Sequence, residues 1–222
     1  MAFRRVNETP AQVWERLGAE ISEGHVFRGR MIHRLGVRAV REASAERRDF
    51  VILDAEKGRP QGRCDGLEPS DIAACLVEAR EHELMVMVRV AADGIESLSE
   101  VIEGVDAIMI SEVTSPSDLP DRIDHPLVAI LESASLLNDI PHLVASRKIA
   151  AFCVGPHDLA ASLGKAGNVS DPLVIRTIDT AIKQLVSDGQ IIIVPERVGF
   201  DLAGWRDAGV GMFVERQSVL GE

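Results

Sequence analysis

Two short apolar runs in the middle of the chain, each followed by an acidic residue, constrain the fold more than any other feature. The runs lie at 127–131 and 150–154; Glu132 follows the first run directly, and Asp158 comes shortly after the second. Uninterrupted apolar runs of this length are typical of strands that are buried on both faces. In a parallel β/α barrel the strand interiors form the core, and the C-terminal strand ends carry the chemistry. We therefore predict neighbouring barrel strands with both carboxylates at one rim, where they could share one hard cation.

Two ordered motifs extend this pattern. The first run ends in Glu132-Ser133 and is followed by a helix-like segment that contains Asn138, and the second leads into Gly-Pro-His-Asp-Leu at 155–159 with Leu-Gly at 163–164. These motifs resemble those of the HpcH/HpaI aldolase and citrate lyase β-subunit superfamily of metal-dependent aldolases and acyl-CoA lyases. The resemblance extends from about residue 49 to about residue 219.

The resemblance implies a carbon–carbon lyase or aldolase that depends on a divalent metal. Glu132 and Asp158 would bind Mg²⁺, Mn²⁺ or another divalent ion. The substrate would be a pyruvate-type 2-oxo acid with an aldehyde, or an acyl-CoA, and its cleavage would generate an enolate that positive charge stabilises. Gly155 and Pro156 would present backbone groups to a substrate carboxylate. His157 could contact the substrate, although this position of the motif is variable.

A second polar cluster follows the apolar run at 50–53. Asp54, Glu56 and Lys57 crowd its end, which is unusual for a plain core, and the two acids match an Asp-x-Glu segment of the superfamily. Arg89 lies near the end of the next apolar run, where an arginine needs an anionic partner. The superfamily places a substrate-binding arginine there. An ion pair with Asp54 or Glu56 is the alternative, and the two roles are compatible.

Lys57 departs from the superfamily, whose aldolases typically have histidine and whose citrate lyases typically have aspartate at this position. A metal and Arg89 would disfavour a charged lysine, so Lys57 could be the general base that removes a substrate hydroxyl proton. The alternative is a protonated lysine paired with Glu56. An Arg-Gly-x-Gly loop of many of the aldolases is also missing here. A second function therefore stays open: a barrel with altered catalytic details that serves as a binding or assembly subunit.

The remaining sequence fits one (β/α)8 TIM barrel over residues 1–222. We expect an N-terminal helix within 1–24 that caps the barrel, the barrel itself at 25–216 and a short tail at 217–222, with the eighth helix missing or shortened. Ser70 is the expected N-cap of a helix that runs to residue 82, and 93–103 is expected to be helical. The eight predicted strands lie at 25–32, 50–53, 84–90, 106–113, 127–131, 150–154, 191–196 and 211–216.

A barrel without its eighth helix would expose an apolar groove between the first and seventh helices, so the sequence predicts a homo-oligomer with that groove at an interface. Trimers and hexamers are common in the superfamily, and closed symmetry is the general rule. The first 48 residues carry ten arginines against six glutamates. These arginines would form ion pairs on a solvated face and between subunits; alternatively, Arg28, Arg30 or Arg34 would meet an anionic substrate group such as a carboxylate or the phosphates of coenzyme A.

Charge and hydropathy exclude several classes of partner. The net charge of −11 disfavours nucleic acid and anionic membranes, because the overall field would repel both. No apolar run approaches the roughly 20 residues that a membrane span needs, and the N-terminal residues lack an apolar signal core. The three cysteines, an odd number without metal-ligand spacing, suit a reducing compartment. We expect a cytoplasmic protein.

Overall fold

Eight parallel strands close into a barrel in the order in which they occur in the sequence. The computed structural model describes residues 8–56, 66–120, 123–146, 148–197 and 199–216. The barrel closes where Gly29 of the first strand pairs with Val214 of the last. The predicted (β/α)8 fold is thereby confirmed. The strands are β1 (Phe27–Ile32), β2 (Phe50–Asp54), β3 (Met85–Ala91), β4 (Ala107–Ser111), β5 (Leu127–Leu131), β6 (Ile149–Val154), β7 (Ile191–Pro195) and β8 (Met212–Arg216).

The helices connect the strands on the outside of the barrel, except for the first, which precedes β1. They are α1 (Pro10–Ser22), α2 (Gly36–Ala45), α3 (Pro69–Glu81), α4 (Ala134–Asn138), α5 (Ile140–Ser146), α6 (Pro156–Ser162), α7 (Pro172–Ser187) and α8 (Leu202–Asp207). None of the helices within the described ranges combines the length and the apolar character that crossing a bilayer requires. The predicted loss of the eighth helix concerns residues 217–222, which lie outside the described residues.

Two local expectations were wrong. The segment expected to be α-helical at 93–103 forms 3₁₀ turns at 92–98 and 102–104, and the glycines at 94 and 104 lower its helix propensity. The helix α3 begins at Pro69, whose fixed φ suits the first helical position. Its N-cap is therefore Glu68, which makes no side-chain cap bond, and Ser70 lies inside the helix.

The helix α1 closes the N-terminal end of the barrel, as the sequence predicts. Its buried side chains Val13, Trp14 and Leu17 belong to the same apolar cluster as the residues that fill the barrel interior. The indole Nε1 of Trp14 donates a hydrogen bond to the carbonyl oxygen of Asp106, at 3.0 Å. A Thr9–Gln12 capping box fixes the start of the helix. One end of the barrel is thus sealed, and a ligand must enter from the other.

The barrel interior has no space for a side chain at Gly29. A Cβ atom at this position would lie 2.1 to 2.4 Å from ring atoms of Phe50, which is fully buried. We expect Gly29→Ala to lower the free energy of unfolding by about 1–3 kcal/mol, because the ring must move within a packed core. Urea denaturation followed by circular dichroism measures the change.

A matched control for this prediction lies in α1. A Cβ atom at Gly18 would meet its nearest neighbour, Ile191 Cδ1, at an ordinary 3.7 Å. Gly18→Ala should therefore be neutral or stabilising, since alanine favours a helix interior. Adding Phe50→Leu to Gly29→Ala should recover part of the lost stability. Equal effects of the two alanine substitutions would contradict the packing argument.

The outer face between β8 and β1 carries charges where an apolar groove was expected. Arg30 pairs with Glu46 and Glu215, and Arg48 pairs with the same two carboxylates. A further arginine of β1, Arg28, pairs with Glu196, which follows β7. Two of the three arginines considered for an anionic substrate are thus engaged in ion pairs with carboxylates of the chain itself. The expected assembly into a trimer or hexamer stays a prediction. The charged face between β8 and β1 does not supply the apolar groove from which it was argued.

Candidate active site

A cavity of about 580 Å³ opens at the C-terminal ends of the strands, opposite the end that α1 closes. Its volume is within the range of small-molecule sites in proteins. Apolar side chains, including Met31 and Val214, line it at β1 and β8. The charged and polar side chains that line it lie near the C-terminal ends of the other strands or shortly after them: Asp54, Arg89, Glu112, Thr114, Glu132, Ser133, His157, Asp158, Glu196 and Arg197. Polar groups therefore reach the cavity from six of the eight strand ends, between apolar side chains.

Arg89 is held by two buried carboxylates. Its Nε and Nη2 atoms donate to Oδ1 and Oδ2 of Asp54, both at 2.9 Å, and Nη2 also donates to Glu56. Asp54 and Glu56 are only 1% and 2% exposed. The hydroxyl of Ser111, at the end of β4, donates to Glu56 Oε1 at 2.7 Å. The ion pairs predicted for Arg89 are present, and they hold its guanidinium in one orientation at the cavity wall.

Glu132 reaches the cavity because the chain changes direction immediately after β5. Ser133 is the N-cap of α4 and accepts a hydrogen bond from the backbone N–H of Leu136. The Glu132 carboxylate accepts a hydrogen bond from the backbone N–H of Glu112 at the end of β4. Glu112 has a φ of 61°, a left-handed conformation that non-glycine residues seldom adopt. This strained turn positions Glu132, which is 6% exposed.

Gly155 allows the ends of β5 and β6 to come close together. Its N–H donates to the carbonyl oxygen of Leu131 at 3.1 Å. A Cβ atom at this position would lie 2.8 Å from the Cβ of Glu132 and 2.9 Å from the Cγ2 of Ile130. Any side chain would therefore displace the strand end that carries Glu132. The glycine is a packing requirement of the site, and it brings Asp158 to the same cavity.

The short helix α6 carries Asp158 in its first turn. Pro156 occupies the first helical position, where its fixed φ is already helical and its missing N–H has no cost. The hydroxyl of Ser162 accepts a hydrogen bond from the backbone N–H of Ala134 at 2.8 Å, which ties α6 to α4. Gly164 follows α6 with a φ of 71°, which accounts for the glycine of the Leu-Gly pair.

The donor set fits a hard divalent cation. No group of three or more His, Cys, Asp or Glu side chains in the described ranges could hold a metal ion. Glu132 and Asp158 both line the cavity, however, and two carboxylates completed by water and substrate oxygens are the usual Mg²⁺ pattern. The charged side chains that line the cavity comprise five carboxylates and two guanidinium groups, and Glu56 adds a sixth carboxylate beside Arg89. Such an excess of negative charge favours binding of a cation.

The structure brings together most of the residues predicted for the site. Asp54, Arg89, Glu132, Asp158 and the segment 155–157 line one cavity, and Glu56 is hydrogen-bonded to Arg89. Lys57 lies outside the described residues. Ser111, Glu112 and Arg197 are among the contributors that were not predicted. Each follows or ends an apolar strand, as Glu132 does, so the same signal was present in the sequence.

Cys153 lies on the cavity wall but is only 4% exposed, and it should be chemically inert. Burial raises the pKa of its thiol to about 12; the Arg89 charge opposes the increase and the Glu132 charge adds to it. Burial likewise raises the pKa of Cys75 to about 11. In a Cys64→Ala background at pH 8, we expect iodoacetamide to leave the native protein unmodified and to label both cysteines in denaturant, because only the thiolate reacts. Mass spectrometry measures the labelling, and rapid native labelling of Cys153 would contradict its burial.

Comparisons with known proteins agree with this geometry. No family model matches the sequence. The HpcH/HpaI aldolase of Desulfitobacterium hafniense superposes with a TM-score of 0.73 at 18% identity, over 90% of this chain and 89% of that one. The chain therefore shares the barrel fold of this aldolase. The citrate synthase SbnG shares this barrel, with a TM-score of 0.77 at 17% identity over 91% of this chain and 90% of SbnG.

Two further relatives of the HpcH/HpaI barrel are informative. The citrate lyase β-subunit of Mycobacterium tuberculosis, solved with oxaloacetate and magnesium, has a TM-score of 0.59 at 19% identity over 91% of this chain and 94% of that one. A hydroxypyruvate/pyruvate aldolase of Agrobacterium fabrum is 31% identical over 64 residues, which are 29% of this chain and 24% of that relative. The predicted resemblance to the HpcH/HpaI and citrate lyase proteins is confirmed.

Proposed function

We propose that the protein is a divalent-metal-dependent aldolase or carbon–carbon lyase that acts next to the enolate of a 2-oxo acid or acyl-CoA. One observation carries the proposal: Glu132 and Asp158, at neighbouring strand ends, share a cavity with the buried Asp54–Arg89 ion pair. The names of the structural relatives support this reaction class, and the magnesium and oxaloacetate complex of the M. tuberculosis subunit supports the metal and the kind of substrate.

Glu132 and Asp158 are the residues that would hold the metal. A bound Mg²⁺ or Mn²⁺ supplies Lewis-acid polarisation of substrate oxygens. The hydrogen bond from Glu112 occupies one oxygen of Glu132 and fixes the orientation of the carboxylate. A fixed carboxylate does not have to reorganise when a cation binds, which favours affinity.

Arg89 is proposed to stabilise the negative charge that develops on the substrate. Its side chain is 14% exposed, and the pairs with Asp54 and Glu56 orient it before substrate arrives. A preoriented positive charge in a site shielded from water lowers the barrier to enolate formation, because it needs no reorganisation during the reaction. Gly155 and Pro156 are proposed to border the substrate carboxylate, since they lie on the cavity wall beside Glu132.

The role of Lys57 separates into two testable alternatives. If Lys57 is the general base, the Lys57→Arg variant loses activity, because arginine keeps its positive charge and does not give up its proton. If Lys57 only forms a structural ion pair with Glu56, the same variant retains its activity. A fall in turnover of at least about 100-fold, the usual contribution of a positioned base, with unchanged Mn²⁺ affinity would support the base. Near-normal turnover would leave only the ion pair.

A substrate screen tests the proposed function. The protein is freed of metal with a chelator and assayed with pyruvate and a set of aldehydes, and with malyl- and citramalyl-CoA, each with and without Mg²⁺ or Mn²⁺. We expect turnover in one of the two panels, and only with the metal. Metal and ligand binding without turnover in either panel would instead favour the binding or assembly subunit.

A further inference from the structure

A fully buried serine hydroxyl lies at the end of β4. The Oγ atom of Ser111 donates a hydrogen bond of 2.7 Å to Oε1 of Glu56. The parallel pairing of β3 with β4 places Ser111 beside Ala91, two residues beyond Arg89. A hydroxyl without exposed surface does not contact a ligand directly. Any effect of Ser111 on the reaction must therefore pass through Glu56.

Glu56 transmits the position of this hydroxyl to Arg89. Its second oxygen, Oε2, accepts a hydrogen bond from Nη2 of Arg89, and the same Nη2 donates to Oδ2 of Asp54 at 2.9 Å. The backbone N–H of Glu56 donates to Oδ1 of Asp54 at 3.2 Å. The two oxygens of Glu56 are thus held by donors from two different strands, β4 and β3. Turning this carboxylate away from Ser111 would disturb one of the acceptors that orient the guanidinium.

The charges of this cluster explain why a neutral donor matters. Asp54 and Glu56 are 1% and 2% exposed and face one guanidinium, so these three side chains bury one excess negative charge. Burial disfavours the ionised form of a carboxyl group, whereas a hydrogen bond to that form favours it. Asp54 and Arg89 are the charged groups whose contacts with Glu56 the described residues define, and Lys57 lies outside those residues. The hydroxyl of Ser111 opposes the uptake of a proton by Glu56.

We propose that Ser111 is a positioning residue of the lyase reaction, whose hydroxyl keeps Glu56 ionised and thereby holds the Arg89 guanidinium in the orientation that faces the substrate. The inference rests on the proposed function. A protonated Glu56 would offer Arg89 a neutral acceptor, and a guanidinium binds a neutral acceptor more weakly than a carboxylate. Ser111 itself neither contacts the substrate nor exchanges a proton with it.

The stability of Ser111→Ala at two pH values tests the hold on Glu56 without any assay of turnover. The variant leaves a buried carboxylate oxygen without this donor, so its urea midpoint should fall at pH 8. At pH 5 the fall should be smaller, because the raised pKa of Glu56 lets the folded variant take up a proton that relieves the buried charge. Ser111→Cys should show the same pattern, since a thiol fills nearly the same space and is only a weak donor.

A control variant removes buried volume at a position without charge. Val40 is fully buried on α2, and Val40→Ala should lower the urea midpoint equally at both pH values. A midpoint loss in Ser111→Ala that is equal at pH 8 and pH 5 overturns the inference. A loss that Ser111→Cys restores also overturns it, because the serine would then only fill space.

The pH dependence of turnover tests the effect on Arg89. With the substrate that the screen identifies and saturating Mn²⁺, the acidic limb of kcat should move upwards by about one pH unit in Ser111→Ala, which corresponds to one lost hydrogen bond to a charged group. The affinity for Mn²⁺ should stay unchanged, because the proposed metal ligands, Glu132 and Asp158, are not altered. An unchanged limb in an active Ser111→Ala protein overturns the positioning role while the lyase function stands. If the pH-dependent stability loss is present and neither panel gives turnover, the proposed function fails together with the role in turnover, and the hold of Ser111 on Glu56 stands.

Discussion

Replacing Arg89 by methionine is expected to lower the free energy of unfolding by about 3–5 kcal/mol and to abolish turnover. The substitution leaves Asp54 and Glu56 buried without their guanidinium, and removing one partner of a buried ion pair has this order of cost. Turnover is lost because the positive charge proposed to face the enolate is gone. Guanidinium chloride denaturation and the assay of the substrate panel measure the two effects separately.

A second arginine of the chain provides a matched control. Arg41 makes a similar two-pronged contact with Glu78, at 2.7 and 2.9 Å, but its side chain is 66% exposed. Glu78 also keeps a contact with His82 at 3.0 Å. The Glu78 side chain is itself 9% exposed, but it keeps its contact with His82, so Arg41→Met should lower the free energy of unfolding by less than Arg89→Met does and should leave turnover unchanged. Equal losses at both positions would contradict the argument from burial.

Glu132→Gln and Asp158→Asn are expected to weaken Mn²⁺ binding at least about 100-fold. Each substitution removes one of the two carboxylates on which the cation would depend, and a hard divalent ion prefers charged oxygen ligands. Glutamine keeps an oxygen that accepts the N–H bond from Glu112, so the local fold should persist in Glu132→Gln. Isothermal titration calorimetry measures the affinity, and circular dichroism checks the fold.

The control for these variants removes the same charge at the other end of the barrel. Glu15 is exposed on α1, and Glu15→Gln should bind Mn²⁺ as the natural protein does. If both active-site variants kept the natural affinity, the assignment of Glu132 and Asp158 would be wrong. If all three variants lost affinity equally, the effect would come from the net charge of the protein and not from the site.

The sequence predicts those parts of the site that are encoded locally. Glu132 directly follows its apolar run, and Asp158 lies three residues past Gly155. The pattern of a buried strand followed by an acidic residue is therefore visible in the sequence alone. The Gly-Pro pair is also local in its cause, because glycine permits close packing and proline begins α6. The same is true of α1, whose apolar stripe predicts a buried face.

The rest depends on which strand ends become neighbours. Ser111 and Glu56 are 55 residues apart, and Arg197 and His157 are 40 apart, so only the closed barrel brings them together. The charged outer face between β8 and β1 has the same origin, since Arg30 and Glu215 are 185 residues apart. The hydrogen bond from the strained Glu112 to the Glu132 carboxylate likewise joins residues that are 20 apart in the sequence. No pattern in the nearby sequence encodes these contacts.

The most direct test of the account is a Mn²⁺ titration of turnover in the chelator-treated protein, using the substrate that the screen identifies. The account predicts no turnover without metal, and a rise with added Mn²⁺ that follows the occupancy measured by calorimetry. The half-maximal concentration should shift upwards at least about 100-fold in Glu132→Gln. Full turnover in the metal-free protein, or a titration curve that Glu132→Gln leaves unchanged, would contradict it.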